Sequence, residues 1–325
     1  MRPVLLALFL TAATTVRVDA QRADSLTTRA LGRGDLTLHH VRAHDQLRTR
    51  ERPSDMVKRR EAAGEQVLAA VNADFFDLKS GENENNQVIA GEWWKGVKVT
   101  ESPFDTFDNA HAQFGLDSAN HPLLDRFLFE GEARTAKAAF PLITLNAVPT
   151  GPEGATLYTV RFGAKVPREI ARRVQETGQD PDNAPGAVLV GYGRTARDVG
   201  GWPRIIRDGR NIAANSATEE GTIAGNAMAR HPRTAVGFSR DSTTLFLVTV
   251  DGRSQKSVGM TTVELADFLL GLGAWQAMNF DGGGSTTMVV EDAVVNSPTD
   301  PTGEREVGNA LLLVRTHARP AAKPE

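Results

Sequence analysis

Asp281 opens a run that folded chains seldom contain: Gly282, Gly283 and Gly284 follow it, and then Ser285, Thr286 and Thr287. Ordering three consecutive glycines carries a large conformational entropy cost, so their freedom answers a need. The usual need is a backbone that passes very close to something, such as a ligand, or dihedrals that a Cβ forbids. Other polar clusters also stand at the ends of apolar runs: Asn72-Ala73-Asp74, His231-Pro232-Arg233-Thr234, Asp251-Gly252-Arg253, Asn279 and Asn309. Taken singly, each is explained more simply as turn chemistry. Taken together, they supply the carboxylates Asp74, Asp251 and Asp281, the guanidinium groups of Arg233 and Arg253, and several amides. Such a set suits a substrate with a sugar ring and a phosphate. Arginine forks match phosphate oxygens in pairs, free N–H groups of a glycine loop form an anion nest, and carboxylates attack or stabilise an oxocarbenium-like centre.

Strands must position these groups, and the apolar periodicity predicts where they run. Alternation from Asp35 to Ala43 predicts a first strand, and Gln66 to Val71 a buried strand leading into Asn72. Arg233 to Phe238 and Thr244 to Val250 form a hairpin around Ser239-Arg240-Asp241-Ser242, and Val88 to Val99 and Thr287 to Val295 form two more. Ser54 is the expected N-cap of a short helix that reaches Ala63 and stops at Gly64. Thr261 to Leu272 predicts a second helix, opened by a capping box between Thr261 and Glu264, which accounts for Glu264 without any chemistry. A strand from Gln276 to Phe280 then delivers Asp281. Many short strands and few helices predict an α+β fold, a single domain of mixed or antiparallel β-sheets over residues 21–316. Pro167 to Pro185 reads as a surface insertion, and 317–325 as a flexible tail.

The N-terminus carries a different signal. Arg2 precedes the apolar run Val4 to Ala13, and Val18-Asp19-Ala20 offers a small-x-small cleavage site before Gln21. Residues 1–20 therefore read as a cleavable signal peptide, too short in its apolar run to anchor the chain in a bilayer. The chain has no cysteine, so its core alone must hold it, which suits a bacterial periplasm or exterior. No stable membrane insertion is expected. Hydrophobic content of 40% and charged content of 24% are ordinary for a soluble globular protein of 325 residues. A net charge of −3 argues against nucleic acid, and the basic run Arg48 to Arg60 is interleaved with Glu51 and Asp55 as a solvated helix face would be.

Other catalytic classes find little support. The seven histidines show no zinc-ligand spacing. Ser285 sits in no nucleophile elbow, and no phosphate-binding loop or dinucleotide fingerprint occurs. Trp93-Trp94 reads either as a sugar-stacking platform or as hairpin packing.

In order, these clusters resemble the phosphodiester glycosidase family. The resemblance rests on Val71-Asn72-Ala73-Asp74-Phe75-Phe76, His231-Pro232-Arg233-Thr234-Ala235-Val236-Gly237 and Val250-Asp251-Gly252-Arg253. It continues through Gly259-Met260-Thr261 and Asn279-Phe280-Asp281-Gly282-Gly283-Gly284-Ser285 to Glu304-Arg305-Glu306-Val307-Gly308-Asn309-Ala310. Ala73 stands where the family usually has glycine and Phe280 where it usually has leucine. The resemblance implies hydrolysis of the glycosidic C–O bond of an α-linked sugar 1-phosphodiester of the N-acetylglucosamine type; with the expected signal peptide, the substrate would be a phosphodiester of envelope or extracellular glycans, or a glycosidic bond without phosphate.

Within that resemblance, Asp281 is the first candidate for the carboxylate beside the anomeric carbon, with Asp251 and Asp74 as second choices. Arg233 and Arg253 would neutralise the departing phosphate. Gly282, Gly283, Gly284 and Ser285 would approach phosphate or sugar by backbone, while Asn72, Thr234, Asn279, Ser285 and Asn309 would fix polar groups of the substrate. A divalent cation such as calcium is a further expectation if the three aspartates converge with backbone oxygens. The competing readings are a non-catalytic envelope protein that binds phosphorylated glycans, and a metal-assisted phosphodiesterase that cleaves P–O bonds.

Overall fold

A computed structural model describes residues 36–97, most of 111–147, part of 156–162, and residues 200–215 and 225–315 with their side chains. The Pro167 to Pro185 segment and the tail at 317–325 lie outside the described residues, and so do the side chains of the expected signal peptide at 1–20.

Strand β1 (Leu36–Arg42) leads to helix α1 (Pro53–Ala62) and strand β2 (Gln66–Asn72). The hairpin of β3 (Gln87–Ile89) and β4 (Glu92–Val97) follows, and then β5 (Gln113–Leu116) and β6 (Pro122–Asp125). Strands β7 (Arg204–Arg207), β8 (Arg233–Phe238) and β9 (Leu245–Val250) precede helix α2 (Thr262–Gly271). Strands β10 (Gln276–Asn279), β11 (Met288–Val290), β12 (Ala293–Val294) and β13 (Asn309–Arg315) come last.

A larger nine-stranded sheet includes β3 to β6, and two sheets share the core beside which the site forms. One has the order β12-β11-β2-β13-β1, and the other runs through β9-β8-β10-β7. The pairings within them are antiparallel. Their facing sides share one core, built from Val71, Met288, Leu311 and Leu313 of the first sheet and Val236, Leu247, Met278 and Phe280 on the side of the second. Phe114 and Leu116 of β5, which belongs to a further sheet, extend it.

The outer sides are covered as well. Helix α1 lays Met56 and Val57 against Ala310, Leu312 and Val314 of β13, the residues that alternate with those of the shared core. Helix α2 lays Leu265, Ala266 and Leu269 against Ala235, Phe246, Val248 and Ala277. The layers are therefore helix, sheet, sheet, helix. Burial on both faces explains why Leu245 to Val250 and Ala310 to Val314 are almost unbroken apolar runs: neither face of these strands meets water. The expected α+β architecture of antiparallel sheets is what the chain adopts.

The capping box opens α2 as expected, with Thr261 Oγ1 accepting from the Glu264 N–H and the Glu264 carboxylate accepting from the Thr261 N–H. Helix α1 begins differently. Its N-cap is Arg52, which gives no side-chain cap, and Pro53 occupies the first turn, where a missing N–H does no harm. Ser54 is engaged elsewhere: its N–H (2.8 Å) and its hydroxyl (2.6 Å) both donate to the carboxylate of Glu304, a partner that no local pattern could announce. The basic run is a network of ion pairs, with Arg59 bonding Glu51 and Asp45, Arg60 bonding Glu65, and Lys58 bonding Asp55.

Glu304 thus ties the first turn of α1 to the loop that carries Arg305. Replacing it with Ala leaves two donors on Ser54 without their acceptor and should destabilise the fold by about 1–3 kcal/mol, measured as a lower midpoint in urea with an unchanged slope. An unaltered midpoint would show that the contact contributes nothing.

Candidate active site

The site forms where the chain steps from one sheet to the other. At the end of β10, the Phe280 N–H donates to the Thr234 carbonyl of β8 (2.7 Å), and the next N–H, from Asp281, donates to the Ala73 carbonyl beyond β2 (2.8 Å). Asn72 locks this crossing. Its Nδ2 donates to the Asp281 carbonyl (2.7 Å), while its Oδ1 accepts from Thr234 Oγ1 (2.7 Å) and the Thr287 N–H (3.1 Å). Beside the crossing lies a cavity of about 300 Å³, lined by Asp281 and the three glycines, by Arg233, Arg253, Arg305 and His231, and by Phe75, Trp202 and Asn279, among others.

The Asp281 carboxyl is pushed up to about 6, by burial above all, with the nearby charge of Asp74 adding to the rise. The Ser285 hydroxyl, the Gly282 N–H and the charge of Arg305 oppose that rise. Asp74 sits behind it and is fully buried. Its carboxylate accepts from the Asn85 N–H (3.1 Å) and Asn85 Nδ2 (2.6 Å), and burial pushes it up to about 6 as well. Asn85 Oδ1 in turn holds His111 Nδ1 at 2.9 Å, and the His111 ring stacks on Trp202 with centroids 4.7 Å apart. Burial pushes His111 down to about 4, so it is neutral at physiological pH. A buried polar chain therefore connects Asp74 to an aromatic wall of the cavity. Asn279 Nδ2 steadies the same wall by donating to the Trp202 carbonyl (2.9 Å).

The cationic side is built from three segments. Arg233 is buried and donates from Nε to the Met260 carbonyl (3.0 Å) and from Nη2 to the carbonyls of Asn226 (2.8 Å) and Ala229 (2.9 Å). Burial, followed by the charge of Arg253, lowers it to about 10. Arg253 is exposed, takes a left-handed backbone (φ 54°) and has no ion-pair partner among the described residues. Arg305 bonds Asp300 (2.6 Å) and donates to Ser285 Oγ (3.2 Å).

The glycine loop does approach something closely, but its closest neighbours are protein. A Cβ on Gly282 would stand 2.6 Å from the Pro232 carbonyl, and one on Gly284 would overlap the guanidinium of Arg305. Gly283 adopts φ +61°, with Arg253 Nη2 3.0 Å from where its Cβ would be. The loop N–H groups are largely engaged internally: Gly283 N–H donates to the Pro232 carbonyl (2.9 Å) and Ser285 N–H to the Gly282 carbonyl (3.1 Å). The expected open anion nest is therefore replaced by arginine side chains packed on bare backbone.

Several other expectations separate here. Of the candidates named from sequence, Asp281, Arg233, Arg253, Asn279, Gly282, Gly283 and Gly284 line the cavity. Asn72, Thr234 and Asn309 do not. They are buried and hydrogen-bonded within the sheets, with Asn309 Oδ1 accepting from the Asp74 N–H (3.0 Å). Asp251 is also apart from the lining; its Oδ1 accepts from the Ser297 N–H (2.9 Å) and Asn296 Nδ2 (3.2 Å) and shapes that turn. Among the described residues, no group of three or more His, Asp or Glu side chains gathers as a metal site would require, so the three aspartates do not converge. Trp93 and Trp94 belong to hairpin packing, against Phe129 and under Arg161 respectively. Trp202, Phe75, Arg305, His231, Asn226 and Thr262 are among the lining residues that were not candidates from sequence, although Phe75, His231 and Arg305 stand within the motifs quoted above. For Trp202 the signal was the Gly200-Gly201-Trp202-Pro203 segment, an aromatic between residues that favour a tight path.

A model of the phosphodiester glycosidase family matches residues 145–314, more than half of the chain, and the matched stretch holds Trp202, Arg233, Arg253, Asp281 and Arg305. Among curated proteins, the SPbeta prophage-derived uncharacterized protein YomE of Bacillus subtilis (strain 168) is 36% identical over 127 residues, which is 39% of this chain and 18% of that protein. The N-acetylglucosamine-1-phosphodiester alpha-N-acetylglucosaminidase of Mus musculus is 32% identical over 95 residues, 29% of this chain and 18% of that protein. The matches thus span under a fifth of either relative. A solved structure of a hypothetical protein from Synechocystis shares the fold, with a TM-score of 0.69 at 16% identity over 96% of this chain and 68% of that one. The chain belongs to the phosphodiester glycosidase family.

Proposed function

We propose that the protein hydrolyses the glycosidic C–O bond of an α-linked sugar 1-phosphodiester, of the N-acetylglucosamine 1-phosphate type, in envelope or extracellular glycans. The observation that carries this reading is the placement of the Asp281 carboxyl in one cavity with the guanidinium groups of Arg233, Arg253 and Arg305. Membership of the family supports it, and so does the activity that the mouse relative's name describes.

The chemistry follows from charge. When the C–O bond breaks, its electron pair stays on the phosphate, which passes from one negative charge toward two. A phosphomonoester is already a good leaving group, so neutralising that charge matters more than protonating the oxygen. Arg233, held by three backbone carbonyls, offers a fixed cation for it, and Arg253 an unpaired one. Asp281 acts at the anomeric carbon, either by direct attack or by taking the proton of the attacking water. Both roles need its ionised form. Asp74, behind it, raises the energy of that form and makes the carboxylate more basic. Trp202 and Phe75 form the apolar wall against which a sugar ring would pack.

Hydrolysis in ¹⁸O-labelled water tests the bond that breaks. Label in the sugar's anomeric hydroxyl is the expected result; label in the phosphate would mean P–O cleavage and end this proposal. Glycan binding with no turnover of any sugar 1-phosphodiester would favour the binding-protein reading instead. Asp281→Asn should lower kcat/KM by on the order of a thousandfold or more with the melting temperature retained, and a near-normal rate would remove Asp281 from the chemistry. The pH profile should show kcat/KM falling about tenfold per unit as pH drops below the Asp281 value of about 6. Arg253→Ala should cost on the order of a hundredfold in kcat/KM while leaving stability near wild type, because this side chain has no ion-pair partner among the described residues to lose.

A further inference from the structure

Arg305 is neutralised by Asp300, but Arg233 and Arg253 face the cavity without a carboxylate partner of their own among the described residues. His231 stands with them. It is two residues before Arg233, its backbone bridges Met260 in both directions (3.2 and 3.0 Å), and it lines the same cavity. Its side chain is half-buried and makes no hydrogen bond among the described residues. The bridge to Met260 also fixes Arg233, whose Nε donates to the Met260 carbonyl, so the imidazole and the guanidinium are held by one piece of backbone.

The charged and titratable groups around this ring come from several segments. Arg233 lies on β8, Arg253 follows β9, and Asp281 and Arg305 belong to the other cavity segments. Arg230 is occupied by Glu264 of α2, and Asp251 by Ser297 and Asn296. The ring is held below the usual histidine range, by burial and then by the charges of Arg233 and Arg253. An oxyanion seated between those arginines reverses the sign of that field.

We propose that His231 is the proton-carrying member of the anion site: neutral while the cavity is empty, it takes a proton from solvent as an oxyanion settles against Arg233 and Arg253, and donates the new N–H to that anion. The cavity then avoids a third permanent cation when empty, yet presents one as the departing phosphate gains charge. The inference rests on reading this cavity as the phosphate pocket.

Sulfate is the probe, because it does not titrate near neutrality and any proton taken up belongs to the protein. Calorimetry of sulfate binding in two buffers of different ionisation enthalpy, at about pH 7.5, should show a fractional proton taken up per anion. Sulfate affinity should strengthen by up to about tenfold per unit as pH falls from about 8 to 6.5, a window above the Asp281 value of about 6. His231→Gln should still bind sulfate, but with the uptake and the slope largely gone; His231→Asn serves if that variant does not fold. In the wild type, the imidazole NMR signal that the variant lacks should titrate at higher pH with sulfate present. Equal uptake in variant and wild type, or an imidazole titration that sulfate leaves in place, would overturn the role of His231 while sparing the hydrolase reading. No sulfate binding to the wild type would overturn the anion pocket and His231 together.

Discussion

One buried amide joins the two sheets between which the site forms. Asn72 ends a strand of one sheet, yet its side chain binds the carbonyl of Asp281, the hydroxyl of Thr234 in the other sheet and the N–H of Thr287. All of these groups are away from water or nearly so, and a buried polar group left without a partner costs about 1–3 kcal/mol. The crossing of the chain from β10 to the glycine loop is therefore held in the arrangement that satisfies the Asp281 carbonyl, the Thr234 hydroxyl and the Thr287 N–H at once. The carboxylate of Asp281 is aimed as a consequence of that constraint. A side chain of almost any other type at position 72 would leave the two sheets to meet without a common partner.

From that junction the site follows in two directions. Toward the interior, Asp74, Asn85 and His111 form a buried polar chain that ends under Trp202. Its members are neutral or raised toward neutrality by burial, which keeps the interior from holding several full charges. Toward solvent, the arginines gather on the glycine loop. They can do so because Gly282 and Gly284 carry no Cβ to obstruct Pro232 and Arg305, and because Gly283 takes a left-handed turn under Arg253. The result is an acid set beside concentrated positive charge, the arrangement suited to a bond that breaks by leaving its electrons on a phosphate.

Local chemistry made much of the fold legible. The strands alternate or run apolar where the sequence predicts, the capping box opens α2, and the strand before Asp281 ends within one residue of its expected position. These features depend on neighbours a few residues apart, and periodicity records such neighbours directly. Helix α1 shows the limit. Ser54 has the side chain of an N-cap but binds Glu304 instead, since a carboxylate from a distant loop offers charge-assisted bonds to both its hydroxyl and its N–H.

Residue type and order alone were enough to single out Asp281, Arg233, Arg253 and the glycine run, because an acid beside three glycines and arginines at strand ends are unusual wherever they fold. Which polar residues face the cavity and which brace it was decided only by the tertiary structure. Asn72, Thr234 and Asn309 look like ligand-binding residues in sequence and serve as buried braces, Asp251 shapes a turn, and Trp202 and Arg305 enter the lining from segments remote in the chain. The physical reason is that a buried amide or hydroxyl must find a partner wherever the packing of two sheets leaves one, and that partner is set by contacts across many tens of residues, which no local pattern encodes.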